Sequence, residues 1–251
     1  MRILIEKNYE LLSKKATDYF KNLIVRGDVK TVAFPTGLTP LNFYKELVRL
    51  YKEKEIDFSN ITGFLVDEYY PISNNSKDSF RQYIDNNFFK HINIKKKYCY
   101  NGENKNFLEE CALYEENIIK EGGLDLVILG TGDNGHIGFN EPGSDFNSRV
   151  RLVELKSSTI KVNKEKYKIK NELPKYSLTL GIYNIFKAKR VLVLASGKEK
   201  SEEVKAFIEG DITNLLPVSI LKLHKDLTII LDRESSSSLS EEIKQVIKTY
   251  W

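Results

Sequence analysis

Short, nearly unbroken apolar runs alternate along this chain with longer stretches in which apolar residues recur every three or four positions. The runs fall at Ile3–Glu6, Thr31–Phe34, Ile61–Val66, Leu124–Leu129, Arg149–Glu154, Ser177–Gly181, Val191–Ala195 and Leu227–Leu231. A strand that is apolar without alternation must be covered on both faces, which is the habit of parallel sheets. The periodic stretches supply the covering helices: Asn8–Arg26, Pro40–Lys54, Ser76–Lys90, Phe107–Glu121, Lys198–Gly210 and Leu239–Thr249. Strands and helices in alternation predict an α/β fold, a single domain over residues 1–251 with an open, mostly parallel sheet and helices on both faces. No Pro/Gly/Ser-rich linker divides the chain, and Ser238 with Glu241 reads as the capping box of the last helix.

In such a Rossmann-like sheet the ligand lies beyond the carboxyl ends of the strands. Four segments of unusual composition fall at those ends: Pro35–Pro40, Asp67–Tyr70, the loop from Gly130 to Pro142, and Ser196–Lys198. The third, Gly-Thr-Gly-Asp-Asn-Gly-His-Ile-Gly-Phe-Asn-Glu-Pro, packs glycines, a histidine and a carboxylate into one irregular stretch that no helix or strand needs in order to fold. Gly130, Gly132 and Gly135 also match a dinucleotide-binding fingerprint. That motif requires a helix opening directly behind it, and Gly138, Pro142 and Gly143 leave no room for one.

Composition narrows the picture further. Basic and acidic residues number 39 and 35, and their intermixing for a net charge of +4 marks a solvated surface, so no nucleic acid partner is expected. Two cysteines, Cys99 and Cys111, and three scattered histidines give no metal-ligand cluster. No run is long enough to cross a bilayer, no secretory signal is expected, and the protein is read as cytoplasmic with reduced thiols and no membrane partner.

The chemistry resides in a few side chains. Thr36, Gly37, Leu38 and Thr39 join a strand to a helix, which suits either an anion site or an ordinary helix start capped by Thr39. Lys198 follows another strand end and is a candidate countercharge for a phosphate, or a solvated lysine. Asp67 and Glu68 end an apolar run; a carboxylate partly buried in the crevice would have a raised pKa suited to proton abstraction. His136 and Glu141 stand close enough in the glycine loop for imidazole and carboxylate to hydrogen-bond.

These blocks resemble the glucosamine-6-phosphate deaminase (isomerase) family along nearly the whole chain. The matching stretches are Pro35–Pro40, Asp67-Glu68-Tyr69, Asn134–Pro142 and Pro174–Thr179. The related 6-phosphogluconolactonases share the fold and a Gly-His pair but lack the Phe-Asn-Glu-Pro continuation. The resemblance implies conversion of D-glucosamine 6-phosphate and water to D-fructose 6-phosphate and ammonia, with no metal or organic cofactor. It further implies that Asp67 is the base moving a proton between C2 and C1. His136 becomes the acid/base of ring opening, oriented by Glu141 and completed by Asn134, and the Thr36–Thr39 loop and Lys198 hold the phosphate. Three departures stand out. Asn134 replaces an aspartate of some members, Leu38 replaces glycine or serine, and the lid offers Lys164 or Lys166 in place of an arginine. Val153, two positions beyond Arg151, and a chain ending at Trp251 imply weak or absent activation by N-acetylglucosamine 6-phosphate and a monomer or small homo-oligomer. The galacto epimer as substrate, a lactonase of the same fold and a non-catalytic sugar-phosphate sensor are the alternatives.

Overall fold

The computed structural model describes residues 1–131, 134–166 and 168–250. Its strands are β1 (Arg2–Glu6), β2 (Thr31–Phe34), β3 (Thr62–Leu65), β4 (Asp67–Tyr70), β5 (Lys96–Tyr98), β6 (Leu126–Gly130), β7 (Arg151–Glu154), β8 (Tyr176–Thr179), β9 (Arg190–Ala195) and β10 (Leu227–Asp232). The helices are α1 (Tyr9–Val25), α2 (Leu41–Lys52), α3 (Phe80–Asn87), α4 (Phe107–Lys120), α5 (Ser157–Lys166), α6 (Ile182–Phe186), α7 (Ser201–Glu209) and α8 (Glu241–Tyr250).

Seven strands form one sheet in the order β1-β10-β9-β6-β2-β3-β5, and every pairing in it is parallel. Alternate residues of each buried strand serve opposite faces. Ala33, Phe64, Val127, Leu129, Val191 and Val193 join the core under α4, α6, α7 and α8. Val32, Phe34, Leu65, Ile128, Leu192 and Leu194 join the core under α1, α2 and α3. The second core is aromatic: Phe34 meets Phe20, Tyr44, Phe88 and Phe89 at centroid distances of 5.3–6.3 Å, largely edge to face. Helix starts are fixed locally, as where the Asn8 side chain accepts the Leu11 N–H at 3.0 Å and Asn106 accepts that of Glu109 at 3.2 Å.

From β2 the chain winds outward through β3 to β5, then returns to the other side of β2 and winds through β6, β9 and β10. The reversal lies between β2 and β6, so the loops leaving these two strands part there and open a crevice.

Several expected elements change place. Ile61–Val66 was expected to end at a loop; instead the chain continues past Val66 into β4. There it pairs antiparallel with β8, and β8 with β7, forming a small sheet of its own. The runs Arg149–Glu154 and Ser177–Gly181 therefore build this second sheet and not the parallel one. At the last helix Ser240, not Ser238, accepts the capping N–H, from Ile243 at 3.4 Å, while Ser238 bonds Glu202.

Candidate active site

Segments leaving β2, β3, β6 and β9 meet around a cavity of about 870 Å³, completed by residues of α5. All four strand-end segments singled out in the sequence contribute to its wall.

The loop after β2 is held by tyrosines. The Tyr9 hydroxyl donates to the Leu38 carbonyl at 2.8 Å, that of Tyr44 to Pro35 at 2.5 Å, and that of Tyr83 to Gly37. With those carbonyls engaged, the N–H groups of Gly37, Leu38 and Thr39 have no partner among the described residues. Gly37 alone of these takes a positive φ, 125°, so Leu38 keeps an ordinary backbone. Helix α2 starts after Pro40 with no side-chain cap, so Thr39 does not serve as one. Free amides at a helix entrance are an anion site.

The lysine that lines the cavity is not the one expected as countercharge. Lys198 lies outside the cavity wall, whereas Lys200, 8% exposed, lines it. The reason is the 3-10 turn Lys198–Lys200 behind Gly197: at three residues per turn, position 200 faces the way of 197 and position 198 does not. Burial draws the Lys200 ammonium below its ordinary range, opposed by the nearby Glu203 carboxylate. Lys164 also fails to line the cavity; its ammonium pairs with Glu172 at 3.0 Å. Gly132, Asp133, the Lys166 side chain and Trp251 lie outside the described residues.

The two adjacent carboxyls divide cleanly. Glu68 accepts three backbone N–H groups, from Tyr69 at 2.9 Å, Phe80 at 2.8 Å and Arg81 at 2.7 Å, and so caps α3. Asp67, 7% exposed, lines the cavity, and its Oδ1 has no hydrogen-bond partner among the described residues. Burial, reinforced by the Glu68 charge, pushes its pKa up to about 8. Gly138, with φ of 57°, passes so close that a Cβ there would lie 2.9 Å from Thr179 Oγ1 and 3.6 Å from Asp67 Oδ2. The Thr131 hydroxyl is likewise buried without a partner among the described residues, and its residue lines the same cavity.

His136 lines the same cavity and reaches Glu141 through Asn134. Its Nδ1 lies 2.7 Å from Asn134 Oδ1, and Asn134 Nδ2 donates to Glu141 Oε2 at 2.6 Å. Because the amide nitrogen is committed to the carboxylate, the amide oxygen accepts and Nδ1 carries the proton. Glu141 Oε1 accepts the Thr159 hydroxyl of α5 at 2.8 Å. The asparagine thus connects imidazole to carboxylate, and the negative charge sits one residue further away than an aspartate at position 134 would place it. Asn140, fully buried, braces the loop by donating to the carbonyls of Ile137 and Leu180 at 2.7 and 2.8 Å.

A family profile described as "Glucosamine-6-phosphate isomerases/6-phosphogluconolactonase" matches residues 6–230. The chain belongs to this family. Members of the glucosamine-6-phosphate isomerase/6-phosphogluconolactonase family similar to it include the glucosamine-6-phosphate deaminase of Thermoanaerobacter sp. (strain X514), 43% identical over 98% of both chains. That of Clostridium perfringens (strain 13 / Type A) is 41% identical over 95% of this chain and 100% of its own. Among solved structures, a monomeric glucosamine-6-phosphate deaminase superposes with a TM-score of 0.91 at 37% identity, covering 94% of this chain and 99% of that one. A 6-phosphogluconolactonase from Leishmania guyanensis superposes with a TM-score of 0.73 at 20% identity, over 95% and 98% of the two chains, and shares the fold.

Within the glucosamine-6-phosphate isomerase/6-phosphogluconolactonase family frame, sequence reasoning missed Lys200, Thr131 and the α5 residues Thr159 and Asn163. The spacing of Lys200 three residues beyond a strand-end glycine was the available signal. Thr159 carried none, being one hydroxyl in a polar stretch.

Proposed function

We propose that the chain deaminates D-glucosamine 6-phosphate, releasing D-fructose 6-phosphate and ammonia, with Asp67 and His136 as its two proton carriers. The observation that carries this reading is the pairing, in one cavity, of a buried carboxylate whose Oδ1 lacks a partner among the described residues with an imidazole held at Nδ1 by Asn134. Aldose–ketose chemistry on a cyclic sugar needs both, a base over C1–C2 and an acid/base at the ring oxygen.

The phosphate sits on the amides of Thr36, Gly37, Leu38 and Thr39 with Lys200 as countercharge, which directs the sugar toward Asp67 and His136. His136 Nε2 takes the proton of the C1 hydroxyl and delivers it to the ring oxygen, opening the ring to the aldehyde. Asp67 takes the C2 proton while the aldehyde oxygen gains one from solvent, giving an enol with the ammonium still on C2, and Asp67 then returns its proton to C1. The nitrogen proton lost in forming the C2 iminium is taken up by solvent. Water adds at C2, the C–N bond breaks, ammonia leaves and the ketose remains. Proton transfers of this kind need neither metal nor organic cofactor, and prolonged dialysis against a chelator is expected to leave turnover unchanged.

Lys200 takes the role that Lys198 was expected to hold, and no described lysine of α5 reaches the cavity. We also read the protein as a monomer or small homo-oligomer that works in the cytoplasm and responds little to N-acetylglucosamine 6-phosphate. Among the described residues no helix is long and apolar enough to cross a membrane. Incubation with glucosamine 6-phosphate, galactosamine 6-phosphate and 6-phosphogluconolactone in separate arms tests the assignment. Ammonia with equimolar fructose 6-phosphate from the first is expected. Faster ammonia release from the second would move the activity to the galacto epimer, and acid release from the third alone would make the protein a lactonase.

A further inference from the structure

Helix α5 is joined to the site through two side chains four residues apart, on one face of the helix. Asn163 Nδ2 donates to the Tyr69 hydroxyl at 3.0 Å, two residues beyond Asp67. Thr159 Oγ1 donates to Glu141 Oε1 at 2.8 Å. The first contact ends on an aromatic side chain packed against Phe80 and Phe139, at centroid distances of 4.6 and 5.9 Å, and goes no further toward a reacting group. The second enters an unbroken series: Thr159 hydroxyl, Glu141 carboxylate, Asn134 amide, His136 Nδ1.

The series has a weak point that Thr159 addresses. Asn134 is exposed, and an exposed amide rotates freely unless something fixes its two ends. If it flipped, its NH₂ would face Nδ1, the imidazole would have to take the other tautomer, and Nε2 would carry the proton at the wrong moment. The flip is opposed at one end by the His136 backbone N–H, which donates to Asn134 Oδ1 at 3.2 Å, and at the other by Glu141 Oε2, which accepts only from the nitrogen. Glu141 in turn holds that oxygen toward Asn134 because its other oxygen is tied to Thr159. A carboxylate bound at both oxygens has its terminal torsion fixed, whereas one bound at a single oxygen has not.

We propose that Thr159, on α5, is a positioning residue for ring opening: its hydroxyl fixes Glu141, which through Asn134 sets the tautomer and orientation of His136. This rests on the deaminase reading given above for the rate effect, but not for the effect on the imidazole. The position of one helix is thereby reported to the ring-opening group across three hydrogen bonds.

The test uses the full chain labelled with ¹⁵N-histidine, and three variants. In the parent, His136 is expected to show ¹⁵N shifts of a single tautomer protonated at Nδ1. Thr159→Val, which keeps the shape and removes the donor, should move these shifts toward a mixed tautomer. It should also lower kcat for cyclic glucosamine 6-phosphate by about tenfold, the rate equivalent of one hydrogen bond to a charged group. Affinity for a hexitol 6-phosphate, which has no ring to open, should change less than twofold, of order a few tenths of a kcal/mol. Thr159→Ser restores the donor and should restore both readouts. Asn163→Ala frees the other tether of α5 and should leave the His136 shifts alone. Parent-like shifts and kcat in Thr159→Val would overturn the proposal. So would equal changes from Asn163→Ala, which would assign the effect to the docking of α5 as a whole. Should Thr159→Val fail to fold, loss of the single-tautomer signal in Thr159→Ser decides against it and its retention supports it. If the parent releases no ammonia from any amino sugar phosphate, the functional assignment fails, while the ¹⁵N shifts still decide the role of Thr159.

Discussion

Burial alone would make either of the adjacent carboxyls Asp67 and Glu68 hard to ionise, yet only one of them is left to react. Glu68 spends its oxygens on three N–H groups, whereas Asp67 Oδ1 meets the cavity. Asp67→Asn keeps shape and removes the base, and is expected to lower ammonia release by about 100- to 10,000-fold with little change in substrate affinity. Turnover near that of the parent would make the carboxyl structural. Because its pKa is raised to about 8, Asp67 is protonated in the free enzyme at neutral pH. The kcat/KM should therefore rise with pH through that value, and a flat profile between pH 6 and pH 9 would contradict the assignment. The same proton affects stability with a definite sign. The folded chain holds it from about pH 4 to about pH 8 while the unfolded chain has lost it, so folded stability falls as pH rises across this window. D67N lacks that slope and should gain on the parent by about 1.4 kcal/mol per pH unit, measurable by urea unfolding at pH 5 and pH 7. At this scale the sequence exposes the polar groups gathered at the site, since His136, Asn134, Glu141 and Asp67 all stand out at strand ends. It does not expose which atoms bond which. That Asn134 lies between imidazole and carboxylate depends on the turn geometry of a loop with Gly135 and Gly138 at φ of 72° and 57°.

Local periodicity identifies an element only when burial imposes it. The strongly apolar strands and the longer helices packed on them follow their sequence patterns to within a few residues, whereas the five-residue α6 was not expected. β5 escaped because Lys96 and Lys97, at the sheet edge, read as a charged run. α5 escaped because it is polar nearly all round: beyond Ile160 against the core, it is held by contacts with Glu141 and Tyr69. β4 escaped because a carboxylate pair reads as a loop, and only the antiparallel partner β8 makes it a strand. The loop after β9 provides the sharpest trial at this scale. Lys200→Ala should raise KM for the sugar phosphate by about ten- to a hundredfold, as expected for losing a charge-assisted hydrogen bond. Lys198→Ala should change it less than about twofold, the usual limit for an exposed side chain. The reverse ranking would return the phosphate to the lysine first expected.

For the molecule as a whole, the crevice is a product of topology. The chain reverses direction across β2, and the glycine loop and the threonine loop leave neighbouring strands at that point. The fold class and the location of the site therefore follow from strand order, which alternation of apolar runs and helices already suggests. The small antiparallel sheet does not follow, because its three strands are far apart in sequence. The chain resembles a monomeric deaminase over nearly its whole length. Sedimentation is expected to give a monomer or small oligomer, and initial rates a hyperbola in substrate with or without N-acetylglucosamine 6-phosphate. Sigmoidal kinetics relieved by that sugar would show a second site at work.

The tyrosine hydroxyls on the loop after β2 bear on how the enzyme uses its substrate's far end. Tyr9, Tyr44 and Tyr83 hold Leu38, Pro35 and Gly37 in place before any ligand arrives. No ordering entropy is then drawn from phosphate binding. The energy released there is free to hold the other end of the sugar against Asp67 in a geometry it would not choose by itself. A phosphate remote from every bond that changes would in this way contribute to the barrier and not merely to affinity. Glucosamine without its phosphate should accordingly turn over slowly even at saturation, a loss in kcat that no concentration recovers.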